Sequence, residues 1–360
     1  MNGLDSLRWA SLTQPLLVRR SLSEGGRTGL RADIIPLLAL VLLSVGPLFA
    51  VTPVLTGAGT GRNVIPVPLP QGDKYGLATM ERQQIVVDLY PGLALVKSEI
   101  MLANLNKNAV KISLGLPKRG SFSHDEVSVV KLDSLYNLQV FWRQREILPK
   151  TFTADFFGSD IYLSLPETYR DSVGQWYGWE LDMRPFSSET LKIVYAVKTG
   201  LAELTRGANT RQSFFFGFLL EHARAWNGPM QSLEMQIRLK GGLSKSQLFG
   251  VYPKEAFQYD GEERLYYRIM GRSPIKHDDV LIGYQSVDDL NLFPDYLQSG
   301  ERYFNEIYQA KIIKPESSKL RKMSPGSFDV YPVREYLILG ALALCFGLVA
   351  LLITYLIRRN

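Results

Sequence analysis

The sequence predicts a mainly β protein: an extracytoplasmic β-sandwich, single or in two lobes, held between two transmembrane helices. Three observations lead there. The central region holds many short runs of β-branched and aromatic residues separated by turn signals. No helical period of convincing length interrupts those runs. Two uncharged stretches of 22 residues flank them.

The flanking stretches are Ile34 to Leu55 and Tyr336 to Ile357, and about 20 apolar residues suffice to cross a bilayer. The second has Tyr336 and Tyr355 near its ends, where amphipathic rings favour the interface, and Arg358-Arg359 as a stop. The first contains Pro36, Pro47 and Pro53, which strain a helix. It also reads as the core of a signal peptide cut after Ala50. The long preceding tail, residues 1–33, favours an uncleaved anchor. Arg19, Arg20, Arg27 and Arg31 before the first span, with Arg358 and Arg359 after the second, place both termini in the cytoplasm. Lys319, Arg321, Lys322, Arg334 and Arg62 pull the other way, but long loops translocate largely regardless of charge. The central region is therefore expected outside the cytoplasm, in the periplasm or at the cell surface.

Neither stretch contains an ionisable residue, which suits anchors better than an ion pathway. Ala343 and Gly347 give the second a small-xxx-small spacing that permits close helix packing. The single cysteine, Cys345, lies in it, so no intrachain disulfide or CxxC site exists. Together with the lack of any N-x-S/T acceptor, this points to a bacterial envelope. The net charge of +6, from 41 basic and 35 acidic residues, implies no nucleic-acid partner. The tail 1–33 is basic and Ser-containing, reads as disordered, and its arginines suit anionic lipid.

Residues 56–83 are rich in Gly and Pro and read as a stalk. The β domain is expected over 84–290. "QIVVDLY", "ALVKSEIMLAN" and "AVKISLGLP" form a meander, with an Asn-rich turn at 104–108. Further strands are expected at 127–132, 138–143, 161–165, 176–183, 191–198, 214–221, 233–239, 257–259, 265–270 and 280–285, with Asp260-Gly261 as a hairpin turn. Short strands without alternating helices argue for a sandwich. In 291–335, Tyr303, Phe304, Ile307 and Tyr308 mark one face of a short helix over 301–314, followed by a polar linker. The second span occupies 336–357 and residues 358–360 end the chain in the cytoplasm.

Candidate chemistry is sparse. The histidines are His124, His222 and His277; two sit in matching contexts, "SHDEV" and "KHDDV". Imidazole beside carboxylate, as in His124-Asp125 and His277-Asp278, is the donor set of a metal or acid-base site. The plainer account is two polar loops, each entering a strand. Glu221 and His222 are sequence neighbours, so a strand would send them to opposite faces. No HExxH, GxSxG, Walker or GxGxxG motif occurs, and no cofactor is implied. Trp176, Tyr177 and Trp179 crowd four positions; in a strand at least one large ring points away from the core, as a stacking or docking platform requires.

The run Ser213 to Leu220, with only Gly217 inside its apolar part, suits a strand buried on both faces. Trp226 then plugs the end of the fold, the turn at Asn227-Gly228-Pro229 reverses the chain, and Met235 to Leu239 returns in alternation. This layout, with "LALVKSEIMLANLNKNAVKISLGLP" before it, resembles bacterial membrane-anchored envelope β-sandwich domains of unknown function that carry a Trp-x-Gly-Pro turn. The resemblance covers about 50 residues and rests on Trp226, Gly228 and Pro229. It implies a fold and no activity.

The sequence therefore points to a membrane-anchored, non-enzymatic binding or scaffolding protein, an accessory subunit of an envelope or membrane complex. Its expected partners are membrane lipid and another membrane or envelope protein. Two alternatives remain open: a carbohydrate- or cell-wall-binding module using Trp176 and Trp179, and a metal-dependent hydrolase using His124, His277 and their aspartates.

Overall fold

Alternation within the strands decides the architecture. In the computed structural model the described residues are 59–66, 78–122, 130–132, 134–153, 173–206, 209–226, 228–253, 256–285 and 290–323, with short helical pieces at 346–347, 354–355 and 357–358. All fall within a unit spanning Val51–Asn360.

The mainly β expectation holds. In chain order the strands are β1 (Gly59–Arg62), β2 (Ile65–Pro66), β3 (Ala78–Tyr90), β4 (Leu93–Asn104), β5 (Val110–Phe122), β6 (Val130–Leu132) and β7 (Tyr136–Trp142). There follow β8 (Arg145–Ile147), β9 (Lys150–Thr153), β10 (Val173–Met183), β11 (Ser187–Lys198), β12 (Gly200–Arg206) and β13 (Asn209–Leu219). The series closes with β14 (Ser232–Leu239), β15 (Leu248–Tyr252), β16 (Gln258–Tyr259), β17 (Arg264–Met270), β18 (Val280–Tyr284), helix α1 (Phe293–Gln309) and β19 (Arg321–Lys322).

A nine-stranded sheet runs β19-β16-β17-β14-β3-β4-β11-β7-β8, antiparallel except where β14 lies parallel to β3. A second sheet has the path β1-β13-β18-β15, with β12 also on β13. A third runs β2-β5-β10-β9, with β6 also on β5. Successive side chains on a strand point to opposite faces, and the large sheet is buried on both. Ile85, Val87 and Leu89 of β3 and Leu191, Ile193 and Tyr195 of β11 join one core with Leu114 and Leu116 of β5 and Phe214, Phe216 and Phe218 of β13. The intervening Val86, Tyr90, Val194 and Ala196 meet Phe293, Tyr303, Phe304 and Ile307 of α1 on the other face. Strands apolar on both sides, as β3, β4 and β11 are, fit a sheet covered on both sides.

Helix α1 starts earlier than its periodicity predicts. Pro294 sits in its first turn, where a missing N–H costs nothing, and Ser299 departs from helical geometry (φ −130°). That interruption hides the first two turns from a periodicity search. The segment after α1 is strapped to the sheet: Lys97 Nζ donates to the Ala310 carbonyl at 2.6 Å, and the Gln236 amide exchanges hydrogen bonds with the Ile313 backbone at 3.1 and 3.3 Å.

Two expectations are corrected. Residues 59–66, assigned by composition to a stalk, form β1 and β2, pairing parallel with β13 and antiparallel with β5; Arg62, Asn63, Val64 and Ile65 are buried. The integral, two-span localisation is also corrected: among the described residues no helix is long and apolar enough to cross a membrane. Helix α1 is amphipathic, with Asp295, Glu301, Arg302 and Glu306 on a helix that packs one side on a sheet. The segments 34–55 and 336–357 that suggested the spans lie outside the described residues, apart from Phe346, Gly347, Thr354, Tyr355 and Ile357. The tail 1–33 and the strand expected at 161–165 also lie outside them.

Candidate functional site at the ends of β13 and β18

Strands β13 and β18 are antiparallel, with Phe218 opposite Val280. That register sets the end of β13 beside the start of β18, so the residues after Leu219 meet those before Val280. Beyond β13 the chain makes a 3-10 turn, Glu221–Ala225. Before β18 it makes another, Lys276–Asp278. The two loops are joined by carboxylates.

Asp279 is buried, and its Oδ1 accepts the backbone N–H of Leu220 at 2.6 Å and of Glu221 at 2.8 Å. Burial pushes its carboxyl up to about 8, against the pull of those two amides and with the help of the charges on Glu221 and Asp278. Desolvation dominates because neither amide carries a full charge. Its neighbour Asp278 goes the other way. Burial alone raises it, but Arg272, the Ile275 amide and Tyr267 together hold it below the usual carboxylate range. Arg272 grips both oxygens at 2.5 and 2.7 Å, a fork geometry suited to carboxylate. The Tyr267 hydroxyl donates at 2.7 Å and the Ile275 N–H at 2.8 Å. In turn burial, and after it Asp278, push the Tyr267 hydroxyl well up.

The predicted turn belongs to the same place. Trp226 is 4% exposed and its Nε1–H donates to the Val64 carbonyl at 3.2 Å. Gly228 adopts φ +75°, the left-handed region that favours glycine. Its carbonyl accepts Ser273 Oγ at 3.3 Å, and Gly228 and Pro229 are exposed. The structure thus unites Trp226, Gly228 and Asp278 at one end of the sheet.

It separates other predicted groups. His277 is exposed, with Nδ1 3.2 Å from the Tyr252 hydroxyl, while Asp278 beside it is buried. The two donors diverge. His124 and Asp125 lie outside the described residues. Among the described residues no group of three or more His, Cys, Asp or Glu is placed to hold a metal ion. Trp176 and Trp179 do point to opposite faces of β10, but both are buried, Trp176 at 1% exposure. Trp179 joins the main core, and in register Trp176 lies between Pro117 and Phe152. Tyr177 is half-buried, with the Lys118 ammonium 5.1 Å from its ring centre. Neither indole offers a face to solvent, which corrects the platform expectation.

Two carboxyls driven apart by their surroundings are the arrangement that divides acid from base in many active sites. Here Asp279 Oδ1 is taken up by two loop amides, and both oxygens of Asp278 by an arginine, a tyrosine and a loop amide. Other shifted carboxyls follow suit. Arg143 and Arg184 flank Glu189, and despite burial they hold it low. Asp88 pairs with Arg238, though burial still raises it. Asp260 is held by Arg264, Tyr266 and the Glu262 amide. Sequence reasoning noted the acid at 279 only as part of a His-Asp-acid run and missed Arg272 and Tyr267. Two consecutive acids directly before the apolar run "VLIGY" were the available signal.

No protein-family model matches the chain, and no curated protein does. Among solved structures, a Legionella pneumophila protein provisionally described as nutrient-binding is 11% identical, with a TM-score of 0.43 over 69% of this chain and 75% of that one. An M1 zinc metallopeptidase from Deinococcus radiodurans is 10% identical, with a TM-score of 0.28 over 59% of this chain and 43% of that one. Yeast LTA4 hydrolase is 11% identical, with a TM-score of 0.32 over 60% of this chain and 31% of that one.

Proposed function

We propose that the protein is a non-enzymatic binding or scaffolding protein, an accessory component of a larger assembly. One observation carries the reading: the carboxyls with shifted titration are each bonded to an arginine, a lysine, a tyrosine or backbone amides that belong to the scaffold. A general acid or base needs a reacting group within hydrogen-bond reach, and these carboxyls are engaged in holding neighbouring strands and loops of the scaffold together. The polar clusters tie loops and strands to one another, and loops carried on such a scaffold are where recognition residues concentrate.

The test is purification of the full-length protein from its native source under mild conditions, with the mass and composition of what travels with it. A stoichiometric partner that persists through two orthogonal separations supports the reading. Turnover of peptide, ester or glycoside substrates that is lost on chelation and on His277→Ala would replace it with the hydrolase alternative.

A further inference from the structure

Where β4 ends and β11 begins, two turns stand beside each other at the end of the nine-stranded sheet. One joins β4 to β5 (residues 105–109) and the other joins β10 to β11 (residues 184–186). They are fastened together: the Phe186 N–H donates to the Asn106 carbonyl at 3.1 Å, and Asn104 Nδ2 donates to the carbonyls of Asn108 and Arg184, both at 2.9 Å. From this braced base two apolar side chains stand in solvent, Leu105 at 67% and Phe186 at 73% exposure. Phe186 has φ +46°. A bulky residue there is a genuine outlier, and such strain concentrates where function needs it.

The charged residues within the two turns are basic. Residues 104–109 and 184–187 include two cations, Lys107 and Arg184, and no carboxylate. Arg184 is largely exposed and pairs with Glu189 at 3.3 Å. Glu189 is buried and shared with Arg143, Glu81 accepts the Ser188 hydroxyl at 3.3 Å, and Asp182 is exposed two residues before Arg184.

We infer that the Leu105–Phe186 tip inserts into the headgroup region of an anionic lipid bilayer, with Lys107 and Arg184 resting on the lipid phosphates. An aromatic and an aliphatic side chain projecting from convex turns, with basic neighbours, match interfacial insertion. A protein partner fits the tip less well, because stable protein interfaces seat their apolar anchors at the centre of a patch of about 800 Å² per partner. The contact is with the surface of one leaflet and involves no spanning segment. It supplies a partner class for the binding reading and rests on it; loss of lipid binding alone would leave co-purification of a protein partner untouched.

The test uses the full chain with Cys345→Ser, carrying a polarity-sensitive fluorophore on Leu105→Cys or, separately, on Phe186→Cys. A third label on Leu148→Cys, 82% exposed on the turn after β8, is the control. Vesicles of phosphatidylglycerol are compared with phosphatidylcholine. The expected result is a blue shift at both tip positions with the anionic vesicles only and none at 148, with vesicle affinity falling about five-fold for each of Lys107→Gln and Arg184→Gln. No shift at either tip position overturns the proposal. So does an equal shift at 148, which would report adsorption through other parts of the chain. A tip shift produced only by a co-purifying protein would assign the surface to that protein instead.

Discussion

The indole N–H of Trp226 donates to the carbonyl of Val64 at 3.2 Å, joining two points 162 residues apart. Val64 sits between β1 and β2, the segment that threads between two sheets, so Trp226 fastens the first described strands to the loop after β13. Trp226→Ala removes both the buried ring and the bond and should cost about 3–5 kcal/mol. Trp226→Phe keeps most of the volume and should cost less, with about 1 kcal/mol of its loss due to the bond. Denaturant unfolding of the full-length protein measures both; equal losses would show that the ring's volume is not what matters.

Asp279 makes the fold sensitive to alkali. In the unfolded chain a carboxyl ionises near 3.8, whereas in the fold this one ionises at about 8. Between those values the native state binds the extra proton, so this group's contribution to stability is full below pH 4, falls as pH rises, and is lost above 8. Asp279→Asn retains an Oδ1 acceptor for the Leu220 and Glu221 amides but cannot titrate. The difference in melting temperature between wild type and variant should therefore change steadily from pH 4 to 8 and level off beyond. A constant difference would mean that the carboxyl is charged throughout.

Gly61 lies in β1 against a buried ring: a Cβ built there would fall 2.4 Å from Cδ2 of Phe218. Phe218 is fully buried and cannot swing away freely. Gly61→Ala should overpack the site and cost about 1–3 kcal/mol. The loss should be local: the Arg62 amide, bonded to the Tyr195 hydroxyl at 2.8 Å, should exchange its hydrogen faster while β4 stays protected. Uniform acceleration across both strands would point to a global effect instead.

These residues show why some of the structure was legible in the sequence and some was not. Strands such as β4 and β11 announce themselves through alternation, and the β16–β17 hairpin through Asp260-Gly261, where Gly261 takes φ +85°. Trp226 was readable because a large ring beside a turn must be covered. The segment 59–66 was not, since glycine and proline read as loop while its partners in β13 lie about 150 residues away and Gly61 serves contact with Phe218. Trp176 was misjudged because alternation gives the face a ring points to, not whether something covers that face. Asp279 was half visible: the acids before β18 could be seen, but the register that brings them to Leu220 could not.

The Arg272–Asp278 pair extends the same loop junction to acid. Removing one partner leaves a buried charge unmatched, so Arg272→Ala should destabilise strongly, by about 3 kcal/mol or less because the arginine itself is half exposed. The held-down carboxyls of Asp278 and Glu189 contribute stability above their unfolded values, and this is lost as pH falls through their lower folded values. Arg272→Ala should therefore shift the acid unfolding midpoint upward. An unchanged midpoint, followed by circular dichroism, would show that Tyr267 and the Ile275 amide suffice for Asp278.

Phe186 connects strain to the proposed lipid contact. A non-glycine residue in the left-handed region pays about 1–2 kcal/mol, and glycine pays less there. The ring recovers little of this inside the protein, because most of it lies in solvent. Phe186→Gly should therefore stabilise the fold by about 0.5–1 kcal/mol while lowering affinity for phosphatidylglycerol vesicles. A residue that costs stability where it stands and supports binding when covered is the trade expected of a functional tip. Thermal unfolding and vesicle sedimentation of the same preparation test both halves. A variant that is less stable than wild type would show that the ring has packing value in the turn, and one with unaltered vesicle affinity would remove Phe186 from the lipid contact.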